Sequence, residues 1–79
     1  MKRYGKKEVL NYLKEEWTQI RFYDYVMTNH GGYKVLDTED NIIGYITYDL
    51  FYDLLKNGYI IRVSRGWACE SYEYNYMRG

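Results

Sequence analysis

The chain has 79 residues, and its eleven Lys and Arg balance eleven Asp and Glu, so the formal net charge is zero. A single cysteine, Cys69, excludes an internal disulfide, and one histidine with one cysteine is too few for a four-ligand zinc site. Stability must therefore come from dense packing of the 12 Tyr, 2 Phe and 2 Trp, or from self-association as a homodimer.

Composition also predicts the class of protein and its compartment. A lone cysteine fits a reducing compartment, and no stretch approaches the roughly 18 apolar residues of a membrane span. With 47% hydrophobic residues and no proline, the chain is not typical of disordered proteins. We expect one cytoplasmic domain over residues 1–79 that does not contact a membrane.

Residues 6–17 predict the first helix, because apolar side chains recur there every three or four positions. These are Val9, Leu10, Leu13 and Trp17. Residues 20–28 alternate in the manner of a strand, and a helix continuing to Gly31-Gly32 is the alternative.

Two β-prone runs, residues 33–37 and 42–47, surround the polar turn 38–41 and predict a hairpin. Gly44 within the second run indicates a bulge or a close approach of backbone. A second helix follows.

Thr47 is the predicted N-cap of a helix over residues 48–56, and Gly58 the left-handed residue after its end. A Schellman ending would then bring Tyr59 to Leu54. The predicted buried stripe consists of Leu50, Phe51, Leu54 and Leu55.

Residues 59–64 and 67–77 predict two further strands, and in the second of them Tyr72, Tyr74 and Tyr76 share a face. The fold class is therefore α+β: an antiparallel sheet of about four to five strands with two helices, in the order α-β-β-β-α-β-β. A winged-helix arrangement is the alternative, and it requires residues 18–30 to be helical.

The first candidate site is an acidic segment that carries tyrosines. Residues 37–53 hold five carboxylates and no Lys or Arg. Tyrosine provides large contact area with few rotors, so this segment suits a basic groove on another protein. A simply solvated turn and helix face is the other interpretation. The predicted partner-binding residues are Glu39, Asp40, Tyr48, Asp49, Tyr52 and Asp53.

The alternative site binds nucleic acid. Residues 1–14 carry five cations against one acid, and tyrosines on a strand can stack unpaired bases. Its predicted contacts are Lys2, Arg3, Lys6, Lys7, Lys14, Tyr72, Tyr74 and Tyr76. Neutral overall charge argues against it, and those tyrosines serve equally well as core.

No catalytic, metal or cofactor motif is present in the sequence. His30 beside two glycines has no evident nucleophile or orienting carboxylate, and Cys69 is typical of a buried thiol. We therefore expect a non-enzymatic protein without a cofactor.

Taken whole, the chain resembles the short, proline-free, Tyr/Asn/Lys-rich accessory proteins of bacteriophages and mobile elements. The stretch VLDTEDNIIGYITYDLFYDLLKNGYI resembles the hairpin-then-helix segment common in them. The resemblance implies a stoichiometric binder that blocks a host enzyme or defence complex, as anti-CRISPR proteins do. The expected partner is a host or phage protein with a basic surface, such as a CRISPR effector.

Overall fold

The computed structural model describes residues 2–23, 32–65 and 69–78. In chain order the elements are β1 (Lys2–Arg3), α1 (Lys6–Glu16), β2 (Ile20–Tyr23), β3 (Gly32–Leu36), β4 (Ile42–Ile46), α2 (Tyr48–Lys56), β5 (Ile60–Arg65), β6 (Cys69–Tyr74) and a 3-10 turn (Tyr76–Arg78). The strands form one sheet in the order β1-β4-β3-β2-β6-β5. The α+β class is confirmed, with two helices on one sheet.

The sheet differs from the prediction in strand number and direction. The described strands number six, and β1 pairs parallel to β4, so the sheet is mixed rather than antiparallel. β2 is extended over Ile20–Tyr23, which argues against the winged-helix alternative; residues 24–31 lie outside the described part. The last strand ends at Tyr74, earlier than predicted.

Both helices pack on the same face of the sheet. Val9 and Leu13 of α1 join Phe51 and Leu54 of α2 in one buried cluster. The sheet residues in that cluster are Ile20, Val35, Ile46, Ile60 and Tyr72. Apolar burial of this kind contributes on the order of 25 cal/mol per Å² and is the main stabilising term of the fold.

Helix α1 begins after Gly5, whose N–H donates to Glu8 Oε1 at 3.4 Å. It ends at Trp17, a left-handed C-cap with φ of 58° whose N–H donates to Leu13 O. The prediction that Trp17 continues the buried stripe is wrong, because its side chain is 78% exposed. The left-handed turn takes it out of the helical periodicity.

Helix α2 has the predicted caps. Thr47 Oγ1 accepts from the Leu50 N–H at 3.2 Å, and Gly58 has a φ of 77°. Tyr59 N donates to Leu54 O at 2.9 Å, which is the hydrogen bond of a Schellman motif that spans six residues. These predictions are confirmed. Leu55 is 37% exposed, however, so its placement in the buried stripe is wrong.

Gly44 marks a close approach, as predicted. A Cβ added there would lie 2.6 Å from the carbonyl oxygen of Lys2 and against the ring of Tyr4. The neighbouring β3–β4 register shifts between Val35 and Leu36, so a bulge is present as well. Glycine lets β1 lie against β4, and Tyr4 N then donates to Tyr45 O at 2.9 Å.

The sheet has a second face, turned away from the helices. Directly paired residues on neighbouring strands share a face of the sheet. Once the core residues are known, the register therefore shows on which face each other strand residue lies. No helix in the described ranges covers this second face, which we call the open face. Residues on it include Arg3, Arg21, Lys34, Tyr45 and Ser71.

Candidate partner-binding surface

The six predicted partner-binding residues do not form one surface. Glu39 and Asp40 lie at the exposed tip of the β3–β4 hairpin, and the other four lie on α2. Asp40 Oδ1 is 3.8 Å from Nη2 of Arg21, a residue of the open face. The hairpin tip therefore turns toward the side of the sheet that α2 does not cover.

The hairpin tip is organised by Asp37. Its Oδ1 accepts from the backbone N–H groups of Glu39 and Asn41, both at 2.9 Å, and its Oδ2 accepts from Asn41 Nδ2. The hydrogen bond from the Asn41 N–H is the main reason why the pKa of the Asp37 carboxyl lies below its usual range. Asp37 is therefore committed to the turn rather than to a partner.

The outward side of α2 carries large exposed side chains. Tyr48 is 60% exposed and Tyr52 is 52% exposed, and their rings stack with centroids 6.2 Å apart. Leu55 completes a line of three at spacings of four and three residues. We call Tyr48, Tyr52 and Leu55 the α2 ridge. Tyr33, half-buried, extends it toward the sheet, with its ring 6.0 Å from that of Tyr48.

The two carboxylates beside the ridge differ in their partners. Asp53 Oδ2 lies 3.1 Å from Lys6 Nζ, and Asp53 Oδ1 accepts from Asn57 Nδ2 at 2.7 Å. Asp49 is exposed and forms no ion pair within the described residues. The negative charge that α2 offers to a partner is therefore chiefly that of Asp49, and the exposed Lys56 adds a positive charge, with its Nζ 5.9 Å from the centre of the Tyr52 ring.

The cations of the alternative nucleic-acid site are largely engaged within the protein. Lys2 forms an ion pair with Glu8, which raises the lysine pKa and lowers the pKa of the carboxyl. Lys6 pairs with Asp53, and Lys14 Nζ lies 5.9 Å from the centre of the Tyr74 ring. Arg3 and Lys7 are exposed, but on different elements.

Two of the three tyrosines of that alternative site are packed in the fold. Tyr72 is 6% exposed, its ring meets Phe51 edge-on, and burial together with a hydrogen bond to Glu70 raises its pKa to about 12. Tyr72 therefore cannot stack a base. Tyr74 packs against the core, and the Tyr76 hydroxyl donates to Lys14 O at 2.8 Å. Packing is therefore the role of Tyr72 and Tyr74 on β6, whereas Tyr76 lies in the 3-10 turn beyond the strand and is 47% exposed.

The sequence reasoning missed one member of the exposed surface on α2 and a second apolar patch. The sequence pattern predicts a buried Leu55, although the spacing of Leu55 from Tyr48 and Tyr52 is the signal that places it with them. Trp17 and Tyr76 lie with ring centroids 5.5 Å apart at the end of α1, beside the 91% exposed Met77. The sequence did not indicate this patch, because Trp17 fits the apolar pattern of α1 and is predicted to be buried.

The described residues include no group of three or more His, Cys, Asp or Glu placed to hold a metal ion. Cys69 is a free, partly buried thiol on β6, and His30 lies outside the described residues. Neither α1 nor α2 has the length and apolar character needed to cross a bilayer. The chain matches no family model, no curated protein and no solved structure.

Proposed function

We propose that this chain is a small protein-binding module that acts by occupying a site on its partner through the α2 ridge. The observation that carries the proposal is the ridge itself, where the rings of Tyr48 and Tyr52, with Leu55 beside them, face away from the core. Aromatic residues of this kind are the usual anchors of protein interfaces. Burying them within the chain would have stabilised so small a domain, so their exposure fits a binding role.

The geometry of the ridge fits a helix that docks into a groove. At about 100° per residue, Tyr48, Tyr52 and Leu55 fall within an arc of about 60°. Anchors at positions i, i+4 and i+7 are typical of an amphipathic helix held in an apolar groove. Asp49 flanks the arc in the first turn and Lys56 flanks it in the last turn, 5.9 Å from the Tyr52 ring, so the matching groove has a basic group opposite the first turn.

The size of the chain also supports a dedicated binder. A standard interface buries about 800 Å² per partner. The accessible surface of this chain is 5565 Å², so one such interface would take about one-seventh of it. An enzyme of this size would need a pocket and its supporting residues in addition.

We further propose that binding inhibits the partner by covering its nucleic-acid-binding surface. A partner that binds nucleic acid has a basic surface, and docking of α2 there would mask that surface by steric exclusion and by charge. The resemblance to phage accessory proteins motivates this reading, and Asp49 is the residue that would meet the basic rim.

The test starts with capture of partners from the native host, followed by titration of the retained protein with variants. We expect Tyr52→Ala to weaken the complex roughly thirtyfold, which is the effect of a hot-spot residue. Asp49→Lys should weaken it and flatten its dependence on salt. Trp17→Ala is the matched control, since it removes an exposed aromatic residue elsewhere.

Two results would overturn the proposal. One is a complex that tolerates both Tyr48→Ala and Tyr52→Ala while circular dichroism shows a folded chain. The other is a complex weakened by Trp17→Ala alone, which would move the interface to the end of α1. Asp53 is a poor test position, because its replacement also breaks the Lys6 pair and the Asn57 hydrogen bond.

A further inference from the structure

A row of cations crosses the open face of the sheet. Arg3 on β1 pairs with Tyr45 on β4, and Tyr45 in turn pairs with Lys34 on β3. The next pair in the row joins Lys34 to Arg21 on β2, and Arg21 pairs with Ser71 on β6. We call Arg3, Tyr45, Lys34 and Arg21 the cation row.

The row lies on one face because paired residues of neighbouring strands point the same way. The alternating positions Gly44 and Val35 face the helices, where a Cβ on Gly44 would meet Tyr4 and where Val35 is part of the core. Neighbouring strands are about 4.8 Å apart, so the row from Arg3 to Arg21 spans about 14 Å. It contains three cations and no carboxylate.

Side-chain contacts hold the row in place. Lys34 Nζ lies 5.9 Å from the centre of the Tyr45 ring. Arg21 Nε donates to Ser71 Oγ at 3.2 Å, and Arg21 Nη2 donates to Gln19 Oε1 at 3.1 Å. Arg3 is exposed, while Arg21, Lys34 and Tyr45 are half-buried. The result is an aromatic ring set between two cations on a surface that no described helix covers.

We propose that the cation row binds single-stranded nucleic acid, with its phosphates along Arg3, Lys34 and Arg21 and a base stacked on Tyr45. Cations that line a surface beside an aromatic ring, on whose face a base can stack, are the means by which proteins bind unpaired strands without reading sequence. This site is independent of the α2 ridge, since the two lie on opposite sides of the sheet. It shares Arg3 with the nucleic-acid site predicted from the sequence, but none of the other residues of that predicted site.

Within the described ranges, two carboxylates lie on the open face beside the row. Asp40 is 3.8 Å from Arg21, and Glu73 is held by a hydrogen bond from Gln19 at 2.9 Å. Asp40 is 73% exposed at its side chain and occupies the position of a competing anion. Its removal should therefore increase the affinity for a phosphate chain.

The experiment is fluorescence anisotropy with labelled 12-nucleotide oligo(dT) and oligo(U) and with a duplex of equal length, at about 50 mM salt. We expect micromolar binding to the single strands, with a slope of log K against log salt near −2, since about 0.7 counterions are released per cation. Comparison of oligo(dT) with oligo(U) shows whether the 2′-hydroxyl contributes.

Variants then assign the site. Lys34→Glu and Tyr45→Ala should each weaken binding about tenfold, the first by charge and the second by lost stacking. Asp40→Asn should strengthen it about twofold to threefold, and asparagine tolerates the positive φ of 64° at this position. Lys7→Glu on α1 is the matched control, because it makes the same charge change on the opposite side of the sheet.

Three results would overturn the proposal. The first is the absence of an anisotropy change up to about 100 µM protein, the weak limit of non-specific binding. The second is equal weakening by Lys7→Glu and Lys34→Glu, which would assign binding to diffuse charge or to α1. The third is duplex binding as tight as single-strand binding and unaffected by Tyr45→Ala, which would exclude stacking.

Discussion

Replacing Gly44 with alanine should release β1 from the sheet while the remaining strands stay folded. The added methyl group would lie 2.6 Å from the Lys2 carbonyl oxygen, closer than van der Waals contact allows. The Tyr4 ring also stands in its way and can rotate, but the carbonyl belongs to the backbone of β1. The strand itself must therefore move.

The expected loss of folding free energy follows from the contacts that β1 makes. Its displacement breaks the hydrogen bond from Tyr4 N to Tyr45 O, worth about 0.5–1.5 kcal/mol net. It also loosens the packing of Tyr4 beside Tyr12, whose rings are 6.1 Å apart. Together with the strain of an overpacked site, we expect the free energy of unfolding to fall by about 1–3 kcal/mol.

Urea unfolding measures the loss, and hydrogen exchange at the Tyr4 amide locates it. Gly5→Ala is the control, because a Cβ at Gly5 has nothing within 4 Å. We expect Gly44→Ala alone to shift the midpoint strongly and to speed exchange at Tyr4. Unchanged stability together with a protected Tyr4 amide would refute the close approach of the Lys2 backbone to Gly44 on which this prediction rests.

Three further outcomes are expected from equilibrium unfolding. Leu54→Ala, at a fully buried core position, should cost about 2–5 kcal/mol and leave the chain near the limit of folding. Thr47→Ala should cost about 1 kcal/mol and Thr47→Ser much less, since serine keeps the oxygen that accepts from Leu50 N. The pKa of Tyr72 is about 12 in the folded chain, above its ordinary value of 10, so the folded state keeps this proton longer. About 2–3 kcal/mol of stability, present below pH 10, should therefore be lost as the pH rises toward 12. Tyr72→Phe should lose no stability from this titration between pH 10 and 12. Parallel profiles of unfolding free energy against pH for the wild type and Tyr72→Phe would contradict the prediction.

Helix α2 was predictable because its signals are local. A threonine before the first turn and an Asn-Gly pair after the last turn set its two ends, and both caps depend on atoms within a few residues. The one error, Leu55, arose because periodicity orders side chains around a helix but does not set the width of the buried arc. The packing of the core determines how wide the buried arc is, and in α2 this arc does not include Leu55.

Strand β1 was not predictable in the same way. Lys2 and Arg3 have no β-pattern of their own, and their pairing is with residues more than forty positions away. The only cue was Gly44, which indicated a close approach without naming the segment that approaches. The order of the strands likewise depends on which edges remain free after the hairpins form, and this is a property of the whole chain.

The candidate surfaces show the same limit. Tyr48, Asp49 and Tyr52 were identified from a run of neighbours in the sequence, and they do lie together on α2. The hairpin tip, close to them in sequence, turns to the other side of the sheet, where Asp40 approaches Arg21. Proximity in sequence was reliable within a helix but not across a hairpin.

Zero net charge argued against nucleic-acid binding at the level of composition, but charge acts locally. At 0.1 M salt the screening length is about 10 Å, so a bound strand responds to the groups of the face that it touches. The row of Arg3, Lys34 and Arg21 and the carboxylate of Asp49 belong to opposite sides of the sheet. The net charge is the sum over both sides of the sheet. A ligand bound on one side, however, is screened from most of the charges on the other side. The same separation means that Asp49→Lys should leave oligonucleotide affinity nearly unchanged while altering the protein complex, and an equal effect on both would show that a single surface serves both ligands.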